Sequence, residues 1–198
     1  MLKSTFLNTG SSIVYFFAQW LTTVLAVRFA SFETAGIFAM AISFTNLFYF
    51  LAAFGIRNYQ ISDVEKKFSD GQYLAARIIT MAAAAVSFLV TALVSHLPAY
   101  TFYCYAVYMV FKLGEAYTEG YFPLLQLRED YGTLALSYSA KGIASLACFA
   151  IPLYFTADLL TATVWMTIGY GLCVAMLDVP KLLRMGLESR SSAAAEPS

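Results

Sequence analysis

Long apolar runs punctuated by short polar segments make up most of this chain. A membrane-crossing helix needs about 20 mostly apolar residues. Six windows approach that length: Ser11–Val27, Ala35–Ile56, Leu74–Ser95, Ala99–Glu119, Ala140–Phe155 and Leu159–Asp178. The fifth is the shortest, and its helix can start as early as Leu134. None alternates with the period of two that a lipid-facing barrel strand requires; each is apolar all round. The pattern predicts an all-α fold, a polytopic bundle of six transmembrane helices over residues 1–180. Residues 181–198 form a tail whose end, Ser191–Ser198, is small and polar and is expected to be disordered. Lys3 and the apolar run after it imitate a secretory signal, but no A-x-A site closes the run, so it reads as a retained first helix.

The connections between windows are asymmetric in length and charge. Three are tight turns, near Arg28–Thr34, His96–Pro98 and Thr156–Asp158; the others, Arg57–Tyr73 and Gly120–Ser139, are longer. Lys3, Arg57, Lys66, Lys67, Arg77, Arg128, Lys141, Lys181, Arg184 and Arg190 fall on the long-connection side, and Arg28 alone falls on the other. Basic residues collect on the cytoplasmic side, so both termini are expected to be cytoplasmic in a multi-pass protein of the cell membrane. Within the first long connection, Ile61, Val64 and Phe68 suit a short amphipathic turn on the inner surface, and Ser69-Asp70 suits a helix cap.

Composition narrows the function classes. The chain has 198 residues, 60% apolar and 12% charged, with 12 basic and 12 acidic side chains. About 25% charge is usual for soluble domains, so half that cannot coat a water-facing surface. A formal net charge of zero offers no field for nucleic acid, and no such partner is expected. Cys104, Cys148 and Cys173 lie apart in apolar runs and form neither a disulfide frame nor a metal site. There is no phosphate-binding G-x-x-x-x-G-K-[ST] loop, no H-E-x-x-H and no G-x-S-x-G, and the one histidine, His96, sits in a tight turn. No catalytic residue, metal or cofactor is therefore expected.

Candidate binding chemistry lies inside the spans. Lys112, Glu115 and Glu119 share one helical face, and Lys112 stands about 13 residues, or ~20 Å, into the fourth span. A charge in hydrocarbon costs about 2.5–3.5 kcal/mol even on the lenient insertion scale. Lys112 must therefore either face a polar cavity, as a cation for an anionic head group, or pair with Glu115 near the interface. Gln19 and Asn46 sit mid-span, where they either bond a neighbouring helix or face sugar hydroxyls in a lumen. Asp178, just ahead of Pro180, reads as an interfacial helix end. Arg28 and Glu33 flank a turn where they can pair. Ala82–Ala85, Gly169 and Gly171 are small enough for close helix approach.

One stretch carries a resemblance. Phe54-Gly55-Ile56-Arg57-Asn58-Tyr59-Gln60-Ile61-Ser62-Asp63, followed by Phe68-Ser69-Asp70-Gly71-Gln72-Tyr73 and Arg77, is similar to the inner loop between helices two and three of polysaccharide and lipid-linked-oligosaccharide exporters. These belong to the flippase-like branch of the multidrug/oligosaccharidyl-lipid/polysaccharide exporter superfamily. Asn8 and Gly10, Gly36-Ile37-Phe38, and Leu125-Gln126 with Arg128 fit the same pattern. The resemblance implies one six-helix lobe of a transporter whose relatives pair two lobes around a polar or cationic cavity and move an isoprenoid-linked saccharide. The missing lobe would come from a homodimer or another six-helix set. Lys112, Arg57, Gln19, Asn46 and Glu115 are the candidate substrate-binding residues. Two other classes stay open: a non-transporting scaffold in a polysaccharide assembly complex, and a membrane-bound sugar- or phospho-transferase, for which Glu129-Asp130 is the only adjacent acidic pair.

Overall fold

The computed structural model describes residues 2–63, 67–127 and 130–183. Val64, Lys66, Arg128, Glu129, Arg184, Arg190 and the tail beyond residue 183 lie outside them, so the amphipathic position at Val64 and the expected tail disorder are not addressed. Among the described residues the fold is all-helical. Its elements are α1 (Leu2–Phe29), α2 (Phe32–Ala53), α3 (Ile56–Ser62), α4 (Asp70–Val94), α5 (Ala99–Glu119), α6 (Phe122–Leu127), α7 (Tyr131–Thr156) and α8 (Leu159–Cys173). Five of the long helices are long and apolar enough to cross a membrane. Their outward side chains, such as Phe16, Met40, Leu47, Ile79 and Ile151, are exposed on a scale that a water-soluble surface does not tolerate. Both features are consistent with a multi-pass membrane protein.

The fourth expected span, α5, has the expected bounds but not the expected apolarity. It holds Lys112, Glu115, Glu119 and five tyrosines. Its 21 residues reach about 31 Å, enough to span. Apolarity is not demanded of it because α2, α4 and α8 pack around it, burying Tyr105, Tyr108, Phe111 and Glu115. Protein, rather than lipid, surrounds its polar groups.

Other boundaries differ from the sequence reading for local reasons. α1 begins well before Ser11. α2 ends at Ala53, because Phe54 and Gly55 are both left-handed (φ 42° and 66°) and turn the chain into α3. That short helix ends at Ser62, just before Asp63. Asp63 then ties the connection down: Tyr73 Oη donates to it at 2.6 Å, as do the backbone N–H groups of Lys67 and Phe68. The Tyr73 bond, first among these, holds the Asp63 carboxyl below its usual range. Ser69 and Gln72 form a reciprocal capping box at the start of α4. α7 starts at Tyr131 because Asp130 accepts from the Thr133 N–H.

Arg77 and Lys141 are corrections to the charge census. Neither lies in a connection: Arg77 is wholly buried in α4 and Lys141 almost wholly buried in α7. Arg77 Nη1 donates to the Ala53 and Ala52 carbonyls at 2.9 and 3.3 Å, and Thr80 Oγ1 donates to Ala52 at 2.8 Å. A cation thus caps carbonyls that have no partner within α2, at the negative end of its dipole. Arg28 and Glu33 form no ion pair across their turn; Glu33 stands in the first turn of α2, whose cap is Ser31.

Asp178 is also corrected: it does not end its helix, and it is 1% exposed. After Cys173 the chain winds as a π-helical turn, Val174–Asp178, and continues helically to Leu183 through Pro180. Proline supplies no N–H and crowds the preceding turn, which the wider winding relieves. The extra residue per turn shifts the helix phase and brings Asp178 to the inner face.

The helices pack in the order α1, α7, α8, α5, α2, with α4 outside against α2 and α5. α1 touches α7 extensively and α2 only slightly. This leaves the α1–α2 seam as the weak side of the ring. Gly142 and Gly169 permit the closest approaches. A Cβ at Gly142 would stand 2.9 Å from Tyr15 Cα, and one at Gly169 2.5 Å from Cys148 Sγ. Gly171 faces open space, so only Gly169 of that pair serves helix approach.

Candidate functional site

A cavity of about 490 Å³ occupies the middle and inner part of the ring, behind the α1–α2 seam. α1 contributes Tyr15, Gln19 and Thr23; α2 contributes Asn46 and Tyr49; α5 contributes Lys112, Glu115 and Glu119. Lys141 of α7 and Tyr170 of α8 close the back. Phe16, Trp20 and Phe50 stand at the mouth, each more than half exposed. The exposed rings that line the cavity all belong to α1 and α2, the two helices of the weakly packed seam.

Its charges are matched one to one. Lys112 Nζ donates to Glu115 Oε2 at 2.7 Å, and the other Glu115 oxygen accepts from the Tyr15 hydroxyl. Lys112 Nζ also lies 5.4 Å from the Tyr49 ring centroid and 5.6 Å from that of Tyr108, within cation–π range. Lys141 pairs with Asp178, whose second oxygen accepts from Ser137 Oγ at 2.6 Å. The Lys141 ammonium lies 4.8 Å from the Phe122 ring. Arg57 pairs with Glu119 at 3.7 Å. Thr118 Oγ1 and Tyr170 Oη share a hydrogen bond of 2.9 Å.

The amides are less well matched. Gln19 Nε2 donates to Ser145 Oγ at 3.2 Å, but Gln19 Oε1 is buried without a partner. Asn46 lines the cavity and makes no hydrogen bond among the described residues.

The structure therefore gathers Gln19, Asn46, Lys112 and Glu115 around one space. Arg57 does not line it; it sits at the start of α3 and reaches the site through Glu119. Lys112 lines the cavity and its ammonium pairs there with Glu115. Sequence reasoning missed Tyr15, Lys141 and Asp178. The fifth window, Ala140–Phe155, already holds Lys141, but the charge census counts it with the connections. Nothing in the sequence announced the π turn that re-aims Asp178. Among the described residues no group of His, Cys, Asp and Glu could hold a metal ion.

The pairing sets an expected result. Lys112→Met leaves Glu115 with only the Tyr15 hydroxyl and should lower stability by about 1–3 kcal/mol, the cost of an unsatisfied buried group. Lys112→Met combined with Glu115→Gln should recover most of that loss in thermal unfolding of the purified protein. Equal loss in the single and double variants would contradict the pairing.

No protein-family model, curated protein or solved structure matches the chain.

Proposed function

We propose that this chain is one lobe of a flippase-type exporter that moves isoprenoid-linked saccharide across the cytoplasmic membrane for polysaccharide biosynthesis. The observation that carries this reading is a cavity that gathers Gln19, Asn46, Lys112 and Glu115 within a largely apolar wall, beside the α1–α2 seam and among helices fit to span a membrane. Parting of the α1–α2 seam would let a lipid head group enter while its chain stays in hydrocarbon. The volume lies in the usual range for small-ligand sites, about 300–1,000 Å³. The resemblance at Phe54–Arg77 supports the same reading. The α1–α2 seam would face the second lobe, supplied by another copy of this chain or by a further six-helix set, as in transporters that bind substrate between repeats. Both termini are cytoplasmic in this proposal: without Arg77 and Lys141, eight basic residues of the inner side still stand against Arg28.

The test is movement of a fluorescent isoprenyl-diphosphate saccharide between leaflets of vesicles holding the purified chain. Thr23→Phe, which fills the cavity, should reduce movement to the rate of empty vesicles at unchanged protein abundance. Movement that ignores the plug, or that is absent from the unaltered chain with or without a second lobe, overturns the reading. In intact cells freed of native cysteines, His96→Cys should react with an impermeant label and Lys67→Cys should not. The reverse pattern overturns the orientation.

A further inference from the structure

Lys112 and Lys141 line the cavity and Arg57 reaches it through Glu119, yet none of these cations is available to an anion. Lys112 is held by Glu115 and two tyrosine rings, Lys141 by Asp178, and Arg57 by Glu119. A phosphate entering the cavity would have to break the Lys112–Glu115 contact and leave Glu115 bare in the same wall. Glu119, also in the wall, would repel it. What the cavity does offer is neutral hydrogen-bonding capacity. Gln19 Oε1 needs a donor, and the Asn46 amide has both donors and an acceptor unspent. At the mouth stand Trp20, Phe16 and Phe50, whose flat apolar faces suit a ring with C–H groups on one side.

From this arrangement we infer that the cavity takes an uncharged pyranose ring, its hydroxyls on Gln19 and Asn46 and one face against Trp20, and that it excludes the phosphate of the same lipid. A sugar hydroxyl is donor and acceptor at once, which is what the two amides together require; a phosphate supplies acceptors only. The diphosphate then stays at the seam, outside the paired charges. The inference rests on the proposed function only in treating this cavity as the ligand site.

The test is direct binding. Trp20 lines the cavity and Trp165 lies on the exposed face of α8, so Trp165→Phe leaves one reporter at the mouth. The protein is purified in an amine-oxide detergent, free of sugar head groups. Methyl glycosides of glucose, galactose and N-acetylglucosamine are titrated separately from inorganic pyrophosphate. At least one glycoside should change Trp20 emission saturably, and pyrophosphate should not. Asn46→Ala, which removes no bond within the described protein, should weaken that glycoside about tenfold, as expected for losing one or two hydrogen bonds. Saturation by pyrophosphate, the absence of saturation by all three glycosides, or unchanged affinity in the Asn46 variant overturns the inference. Vesicle transport separates the two readings. Transport with pyrophosphate-only binding leaves the flippase standing and removes the sugar site. Saturable glycoside binding without transport does the reverse.

Discussion

Lys141→Met is expected to cost about 3–5 kcal/mol, the usual result of leaving one member of a buried ion pair alone. Lys141 and Asp178 are each 1% exposed, so solvent cannot take over the lost partner. Ser137 remains bonded to one Asp178 oxygen, which does not neutralise the charge. In thermal unfolding of the purified protein, a loss of that size corresponds to a fall of about 10 °C for a chain this long. Lys141→Met combined with Asp178→Leu should restore most of it, because apolar replacement of a buried pair is often neutral or stabilising. An unchanged midpoint for Lys141→Met would show that the pair is not formed. A double variant no better than the single one would show that the charge was not what mattered.

Gly142→Ala is expected to be the most damaging single-methyl change, at about 3 kcal/mol, the upper end of typical overpacking costs. The new Cβ would stand 2.9 Å from Tyr15 Cα, and backbone cannot step aside as a side-chain tip can. α1 must then move off α7, carrying Tyr15 away from Glu115. Gly171→Ala provides the contrast. It sits in a helix with nothing within 4 Å and should gain stability by about 0.5–1 kcal/mol, because alanine loses less backbone entropy than glycine. Equal effects at the two positions would refute the close α1–α7 contact.

Several features of this protein were legible locally. The apolar windows match helices because lipid-facing side chains must be apolar around the whole circumference, a requirement that leaves its mark residue by residue. Ser69-Asp70 marks the start of α4, since a cap acts on groups within a few residues of it; Gln72 as the reciprocal partner of Ser69 came from the structure. The presence of Gln19, Asn46, Lys112 and Glu115 in apolar runs marks them for attention, because hydrocarbon makes unpartnered polar groups costly.

Their partners were not legible. Glu115 meets Tyr15 across 100 residues, and Asp178 meets Ser137 across 41. Such contacts depend on which helix lies beside which, and hydropathy is blind to that. The same blindness misjudged α5, whose polarity is tolerable only because other helices surround it, and placed Arg77 and Lys141 in connections when they are buried in the bundle. By itself the sequence determined that the chain is helical, which runs are apolar enough to span, and which polar residues those runs must accommodate. Tertiary structure alone decided that Lys112, Lys141 and Arg57 each meet a carboxylate while Arg77 meets backbone carbonyls, that two amides keep unused hydrogen-bonding capacity, and that a π turn before Pro180 swings Asp178 inward. Local preference acts between neighbours in sequence, whereas charge pairing and cavity shape arise only when distant helices are packed together.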